Sequence, residues 1–204
     1  MTTQAKATFQ RQIPLRHEVD VFVAGGGPAG IAAALAAARQ GRTVFLAEAT
    51  SRLGGMGTAG LVPVFMPFGD GMHFLADGIG RQIRDRLTAA GGNGPNDTVS
   101  IRAEVLKRVY DDLLTEAGVD FTFHTQLIDV EAADGEVKLA ILAAKSGLFA
   151  VRAGIFIDGT GDGDLAAWAG APFEAVEQGT GVRGFDVGRL QRRLKQMGAF
   201  LPNA

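Results

Sequence analysis

Three glycines, Gly25, Gly27 and Gly30, are spaced as G-x-G-x-x-G. An acid, Glu48, follows at close to the spacing of about 20 residues that is typical of a dinucleotide site. Gly25 would permit a tight turn, Gly27 would let a pyrophosphate approach the backbone, and Gly30 would let a helix pack closely on a strand. Glu48 suits two ribose hydroxyls and would repel a 2′-phosphate. These residue types therefore indicate the binding of a dinucleotide that has no 2′-phosphate.

The elements needed to position these residues are predicted in the right order along the chain. Residues 20–24 read as a buried strand, residues 31–40 as an alanine-rich helix, and residues 43–47 as a second strand that ends at the acid. Pro28 and Ala29 lie in the turn just before this helix, whose N-terminus attracts a phosphate through its free N–H groups and the helix dipole. A glycine-rich turn without a ligand is the alternative, but the complete strand–turn–helix–strand unit favours the dinucleotide.

Composition restricts the class of protein. The 204 residues are 47% hydrophobic and 21% charged, which is typical of one globular soluble domain. A net charge of −2 gives no general attraction to nucleic acid. Residues 21–38 have the length of a membrane span, but glycines and a proline interrupt them, so we predict no membrane partner. The absence of cysteine excludes a disulfide framework and a cysteinyl-linked flavin, and it is compatible with the cytoplasmic location that we predict.

The pattern along the chain predicts an α/β fold in three parts. Residues 1–17 read as a leader, either disordered or a short edge strand. Residues 18–174 form the main domain, a Rossmann-like parallel sheet with a dinucleotide-binding βαβ unit and a small antiparallel β insertion at about 120–153. A strand at 154–157 enters a second glycine turn and helix. Residues 175–204 predict an amphipathic helical tail, which packs on the domain or, alternatively, binds a membrane surface or a partner through its basic face.

Few residues qualify for catalysis or metal binding. His73 is the only histidine in the apolar loop 57–73, and an imidazole there could relay a proton. The alternative is an ordinary polar loop residue. Asp162 and Asp164 could share a hard cation, but capping the following helix is the preferred interpretation, and we predict no metal site.

Two later segments make the pattern more specific. One reads Gly54-Gly55-Met56-Gly57-Thr58-Ala59-Gly60-Leu61, and the other reads Ile157-Asp158-Gly159-Thr160-Gly161-Asp162-Gly163-Asp164-Leu165-Ala166. With the dinucleotide unit they make the chain similar to the FAD-dependent oxidoreductases of the glutathione-reductase-like superfamily. The resemblance covers about residues 18–174 and corresponds to the N-terminal, FAD-binding part of those proteins. Within the second segment the chain departs from the family motif, because Gly-Thr-Gly replaces the usual Ala-Thr-Gly.

The resemblance implies an FAD site to which twelve positions contribute. They are Gly25, Gly27, Pro28, Ala29 and Gly30 at the pyrophosphate, Glu48 and Arg52 at the adenosine, Gly54 and Gly55 near the pyrophosphate and ribityl chain, Leu127 at the adenine through its main chain, and Thr160 and Gly161 beside the dinucleotide.

The implied function is an oxidoreductase in which FAD exchanges a hydride with an unidentified small molecule. An NAD-binding module is a weaker alternative, because the segment at Gly54 and Gly55 favours FAD. Members of the family continue well beyond the length of this chain and include a substrate-binding region. The other hypothesis is therefore a non-catalytic or incomplete flavin-binding subunit, which needs a partner chain or forms a homo-oligomer.

Overall fold

The computed structural model describes residues 9–65, 68, 72–73, 75–94 and 99–173. Within these residues the chain alternates between strands and helices, with a short 3-10 helix at Gly55–Gly57. The strands and α-helices in chain order are β1 Leu15–Ala24, α1 Pro28–Arg39, β2 Val44–Ala47, α2 Ile79–Ala89, α3 Ala103–Glu116, β3 Asp120–Thr122, β4 Thr125–Ala133, β5 Glu136–Ala144, β6 Gly147–Asp158 and α4 Asp164–Trp168.

All the strands join one six-stranded sheet in the order β3-β2-β1-β6-β5-β4. The pairs β1–β2, β1–β6 and β2–β3 are parallel, whereas β4–β5 and β5–β6 are antiparallel. The predicted Rossmann-like α/β fold is thereby confirmed. Because the carboxyl ends of parallel strands meet at one edge, the turns that follow β1, β2 and β6 lie together, as a ligand site in such a sheet requires.

The middle of the sheet is buried on both faces. In β1, Val21 and Val23 belong to one core cluster, whereas Phe22 and Ala24 belong to the other, as the two-residue period of a strand requires. The first cluster is completed by α1, α2 and α3, and the second by residues of β4, β5, β6 and α4. Strands covered on both faces read as continuous apolar runs, which explains why residues 21–24 and 44–47 are entirely apolar.

Strand β6 differs from the sequence prediction. It runs unbroken from Gly147 to Asp158, where the sequence suggested one strand inside the insertion and a second at 154–157. Residues 147–151 pair with β5, and residues from Ala150 to Asp158 pair with β1. Strand β3 also differs, because it pairs in parallel with β2 and so lies outside any antiparallel insertion. The antiparallel strands β4 and β5 extend the same sheet and do not lie over it.

The N-terminal boundary needs correction as well. Strand β1 begins at Leu15, so the prediction of a leader is wrong for residues 15–17. The ring of His17 stacks on Phe45 with 3.7 Å between centroids, and its Nδ1 lies 3.4 Å from Oδ2 of Asp120. Burial lowers the pKa of His17, although the charge of Asp120 acts in the opposite direction. These contacts anchor the start of β1 to β2 and β3.

The described residues up to Ala171 belong to one compact unit. Residues 1–8 of the predicted leader and the whole of the predicted tail at 175–204 lie outside the described residues. The division of the chain into a leader, a domain and a tail therefore stays a prediction. Within the described ranges, no helix combines the length and apolar character needed to cross a membrane.

Candidate functional site

The turn after β1 is built by close backbone contacts. A Cβ on Gly30 would overlap the carbonyl oxygen of Gly25, and a Cβ on Gly25 would overlap the carbonyl oxygen of Gly159. Gly25 also has a positive φ of +96° and donates its N–H to the carbonyl of Ala47 at 2.8 Å. Gly25 and Gly30 are thus required by packing, because they let β1, α1 and the end of β6 meet.

Gly27 has a different environment. Its backbone is extended, and a Cβ there would lie 3.8 Å from its nearest neighbour, the carbonyl oxygen of Gly159. The protein itself therefore leaves room at Gly27. This residue is the N-cap of α1, Pro28 follows at the first helical position, and both Pro28 and Ala29 are exposed. The positive end of the helix dipole thus faces an accessible space that could hold an anion.

The segment Gly54-Gly55 lies directly against this turn. The N–H of Gly54 donates to the carbonyl of Gly26 at 2.8 Å. A Cβ on Gly55 would lie only 3.2 Å from Cα of Gly27. The buried Thr58 supports the segment, since its hydroxyl donates to the carbonyl of Leu53 at 2.5 Å. Thr58 belongs to the motif that contains Gly54 and Gly55, but its supporting role depends on its fold-back to Leu53 and leaves no signal in the motif itself.

Glu48 has contacts that its predicted role did not include. The residue is only 8% exposed, and its two carboxylate oxygens accept backbone hydrogen bonds from Gly26 and Thr50, each at 2.7 Å. A carboxylate has about four acceptor positions, so Glu48 can still accept from ribose hydroxyls. The carboxylate therefore holds the glycine turn through Gly26, and its remaining acceptor positions are available to a ligand.

The two other residues expected at the adenosine end belong to different segments, Arg52 to the loop after β2 and Leu127 to β4. Strand β4 begins beside it, because the N–H of Thr125 donates to the carbonyl of Glu48 at 3.0 Å. Leu127 follows in β4 and is buried, paired with Leu142. Arg52 is half-buried, with its Nε and Nη2 atoms 3.3 and 3.2 Å from the hydroxyl oxygen of Ser51. The structure thus brings Glu48 and the start of β4 together.

The turn after β6 is held by its own side chains. Oδ1 of Asp158 accepts from the N–H and the hydroxyl of Thr160 at 3.0 and 2.7 Å, and Oδ2 accepts from the N–H of Ala166 at 3.0 Å. The oxygen of the Thr160 hydroxyl in turn accepts from the N–H groups of Gly163 and Asp164 at 3.0 and 3.1 Å. Although burial alone would raise the pKa of Asp158, the hydrogen bonds from Ala166 and Thr160 outweigh it and lower that pKa.

These bonds correct the interpretation of the two later aspartates. The N-cap of α4 is Gly163, and the N–H groups at the start of the helix bond to Asp158 and Thr160. Asp162 and Asp164 therefore do not supply the capping oxygens that we predicted from their position. Among the described residues, no group of three or more potential ligands is arranged to hold a metal ion.

His73 is exposed and lies in a stretch of which the structure describes only part. The residues between it and the glycine turns include positions 69–71, which lie outside the described residues. Its catalytic role stays a prediction.

Comparison with known proteins gives a consistent result. A family model described as FAD dependent oxidoreductase matches residues 20–197. A geranylgeranyl bacteriochlorophyll reductase-like protein from Thermoplasma acidophilum is 23% identical with a TM-score of 0.54, and the match covers 78% of this chain and 44% of that chain. Thermovibrio ammonificans THI4 is 20% identical with a TM-score of 0.53, covering 74% of this chain and 61% of that chain.

A third similar structure is the myxobacterial chondrochloren halogenase CndH, described as a variant of FAD-dependent halogenases. It is 18% identical with a TM-score of 0.55, and the match covers 71% of this chain and 38% of that chain. At these identities the likeness shows the fold alone. This chain spans less than two thirds of the length of each of the three structures.

Proposed function

The chain belongs to the FAD-dependent oxidoreductase family, and from this premise we propose that it binds FAD at the turn after β1 and exchanges a hydride with a small molecule. The observation that carries the proposal is the space at Gly27, where the nearest atom of the described residues lies 3.8 Å from the Cβ position although Gly25 and Gly30 on either side are tightly packed. A pyrophosphate needs both the close backbone approach and the free helix N-terminus found there.

The surrounding residues have complementary roles in this proposal. Gly27, Pro28 and Ala29 receive the pyrophosphate, and Gly54 and Gly55 border it from the opposite side. That border is supported by the 3.2 Å separation expected between a Cβ on Gly55 and Cα of Gly27. Because Gly55 lies so close to Gly27, we expect that a larger side chain at Gly55 would collide with the bound pyrophosphate.

The adenosine half uses the residues around Glu48. Glu48 binds the ribose hydroxyls, Arg52 lies near the adenosine, and the main chain of Leu127 contacts the adenine. Thr160 and Gly161 lie beside the dinucleotide at the end of β6. Bound FAD supplies the hydride chemistry, and the residues of this chain bind it, orient it and limit the access of water.

The first experiment is the visible absorption spectrum of the purified chain after incubation with excess FAD and desalting. Flavin bands in stoichiometric amount are expected. The matched variant is Gly27→Val, whose side chain would enter the space assigned to the pyrophosphate. This variant should fold but lose the flavin. Equal retention by the variant and the wild type would refute the site.

Hydride exchange is tested on the flavin-loaded chain. Candidate reduced small molecules are mixed with it without oxygen, and the loss of oxidised-flavin absorbance is followed. His73→Gln should slow this loss if the imidazole relays a proton, while leaving flavin retention unchanged. An unchanged rate would remove His73 from the mechanism.

A second candidate function is a flavin-binding subunit that is completed by a partner chain, and one feature of β6 favours it. Its pairing with β5 ends at Val151, while its pairing with β1 continues to Asp158. Ile155 in this stretch is 58% exposed, and a cavity of about 650 Å³ lies beside it between β5 and β6. A strand edge of this kind can pair with a further strand.

This candidate predicts weak or substoichiometric flavin binding by the isolated chain. If a second copy completes the site, flavin affinity and sedimentation coefficient should both rise with protein concentration. If a different chain does so, affinity should rise only when that chain is added. Stoichiometric, concentration-independent binding by a monomer would exclude it. The cytoplasmic location also stays a prediction, which cell fractionation would test.

A further inference from the structure

The turn after β6 contacts the dinucleotide turn through Gly159. The N–H of Gly159 donates to the carbonyl of Ala24 at 2.7 Å. A Cβ on Gly159 would lie 3.0 Å from Cα of Gly30, and the carbonyl oxygen of Gly159 is the nearest neighbour of the Cβ position at Gly27. Any displacement of Gly159 therefore changes the shape of the space at Gly27.

Besides its own bond to Ala24, Gly159 is restrained by the hydrogen bonds of the residues on each side of it. Asp158 accepts three hydrogen bonds, two from Thr160 and one from Ala166 in α4. The hydroxyl oxygen of Thr160 in turn accepts hydrogen bonds from the N–H groups of Gly163 and Asp164, which links it to the start of α4. Because the chain between β6 and α4 contains Gly159, Gly161 and Gly163, it has few conformational restraints of its own.

The polar atoms of Thr160 are committed to these contacts. Its N–H and its hydroxyl proton are both donated to Asp158, and its hydroxyl oxygen accepts two further bonds. Thr160 thus has no free donor for a phosphate or a ribityl hydroxyl. Its influence on a bound dinucleotide must come through the position of the backbone.

We propose that Asp158 is a positioning residue, which acts through Thr160 to hold Gly159 against the dinucleotide turn, and that the affinity for FAD depends on this pair. The inference rests on the proposed FAD site. Without the pair, the turn between Gly159 and Gly163 would sample several conformations in the free chain. FAD would then have to order that turn on binding, and the cost would appear as weaker affinity.

The experiment compares Thr160→Val with Thr160→Ser in the full chain. Valine has nearly the shape of threonine but removes the hydroxyl, whereas serine restores it. Affinity is measured by titrating FAD and following the quenching of its fluorescence. Thr160→Val should weaken binding by about tenfold, the size expected when partly buried hydrogen bonds to a carboxylate and to backbone N–H groups are lost. Thr160→Ser should recover most of the affinity.

Asp158→Asn tests the carboxylate itself. An asparagine can still accept from Thr160, but its amide group would place a donor against the N–H of Ala166. The matched control is Asp162→Asn, the same change of charge at an exposed position of the same turn. We expect weaker FAD binding for Asp158→Asn and no change for Asp162→Asn. If Asp158→Asn fails to fold, the two threonine variants still decide the matter.

Amide hydrogen exchange of the flavin-free chain supplies a readout that does not depend on FAD. In Thr160→Val, peptides that cover residues 159–166 should exchange faster, while peptides that cover β1 should be unchanged. Faster exchange with unchanged FAD affinity would overturn the proposal, as would unchanged exchange. A wild-type chain that binds no FAD would instead refute the proposed function, and the exchange data would still show whether the pair orders the turn.

Discussion

Two strand–turn–helix junctions lie next to each other at one edge of the sheet. They differ in whether side chains of the protein accept the N–H groups at the start of the helix. Between β1 and α1, the N-cap is Gly27, which has no side chain, and Pro28 and Ala29 are exposed. Between β6 and α4, the oxygens of Asp158 and Thr160 already accept the N–H groups at the start of the helix. The first junction is open to an anion, and the second is closed by the protein.

The difference shows that similar sequence patterns can serve distinct purposes. Both junctions contain a glycine at alternate positions after an apolar strand. In both junctions neighbouring backbone crowds the Cβ position of a glycine, at Gly25 and Gly30 in the first and at Gly159 in the second. The junctions differ because, among the described residues, side-chain oxygens accept the N–H groups at the start of α4 but not those at the start of α1. Glycine density alone therefore does not identify a ligand site. The relevant signal is space beside a packed backbone together with a helix N-terminus that its N-cap residue does not cap with a side chain.

The largest effect should come from Gly30→Ala in the first junction. On an exposed helix this change would stabilise, because alanine favours the helix by about 1 kcal/mol. Here the added methyl group would overlap the carbonyl of Gly25, so we expect a loss of at least about 3 kcal/mol in the free energy of unfolding. Denaturant unfolding measures it. A variant as stable as the wild type would contradict the packing role of Gly30.

Glu48→Gln tests whether the first junction needs its acid even without a ligand. The amide would place a donor against one of two backbone N–H groups, those of Gly26 and Thr50, at a nearly buried site. We expect the flavin-free chain to lose about 1–3 kcal/mol of stability. The control is Glu18→Gln, the same change at an exposed residue that pairs with Arg152. Equal stability of the two variants would mean that Glu48 serves only the ligand.

Gly161→Ala probes the second junction in the same way as Gly30→Ala probes the first. Gly161 has a φ of +86°, but no atom of the described part of the chain lies within 4 Å of the position of its Cβ. The cost should be conformational only, about 1–2 kcal/mol in the free energy of unfolding. Thermal or denaturant unfolding gives the value. A loss as large as that of Gly30→Ala would show that the two junctions are packed alike.

The smallest effect concerns the pH dependence of the second junction. Because the pKa of Asp158 in the folded chain is below its ordinary value of 3.8, the carboxylate stabilises the fold at pH values above 3.8. That contribution is lost as the pH falls through the lowered pKa. The difference in unfolding free energy between the wild type and Asp158→Asn should be constant near neutrality and shrink in acid below 3.8. A difference that changes between pH 6 and pH 8 would assign the effect to another group.

Local patterns predicted the first junction well because its determinants are close in sequence. The order of strand, turn, helix and second strand follows from residues 20–48, and the roles of Gly25 and Gly30 depend on elements that touch one another directly. The structural role of Glu48, which accepts a hydrogen bond from the N–H of Gly26, was not predictable in this way. Whether its carboxylate meets the N–H of Gly26 depends on how β2 is placed beside β1.

The sequence predictions were wrong where strands pair over long distances, or where several nearby side chains could cap the same helix. Asp162 and Asp164 are nearest to the start of α4, but Asp158 and Thr160 reach its N–H groups because the turn folds back on itself. Strand β3 has only three residues, and nothing in so short a segment indicates that it pairs in parallel with β2. The change of partner along β6, from β5 to β1, likewise leaves no local signal.

The pairing of β1 with β6 also determines when the site can form during folding. Glu18 and Arg152 are register partners although they are 134 positions apart. Closing so long a segment of chain is entropically costly, and contacts between distant residues form slowly compared with local helices. Because Gly159 follows β6 directly, we expect the first junction to gain its contact with Gly159 only after β6 has been synthesised and paired with β1.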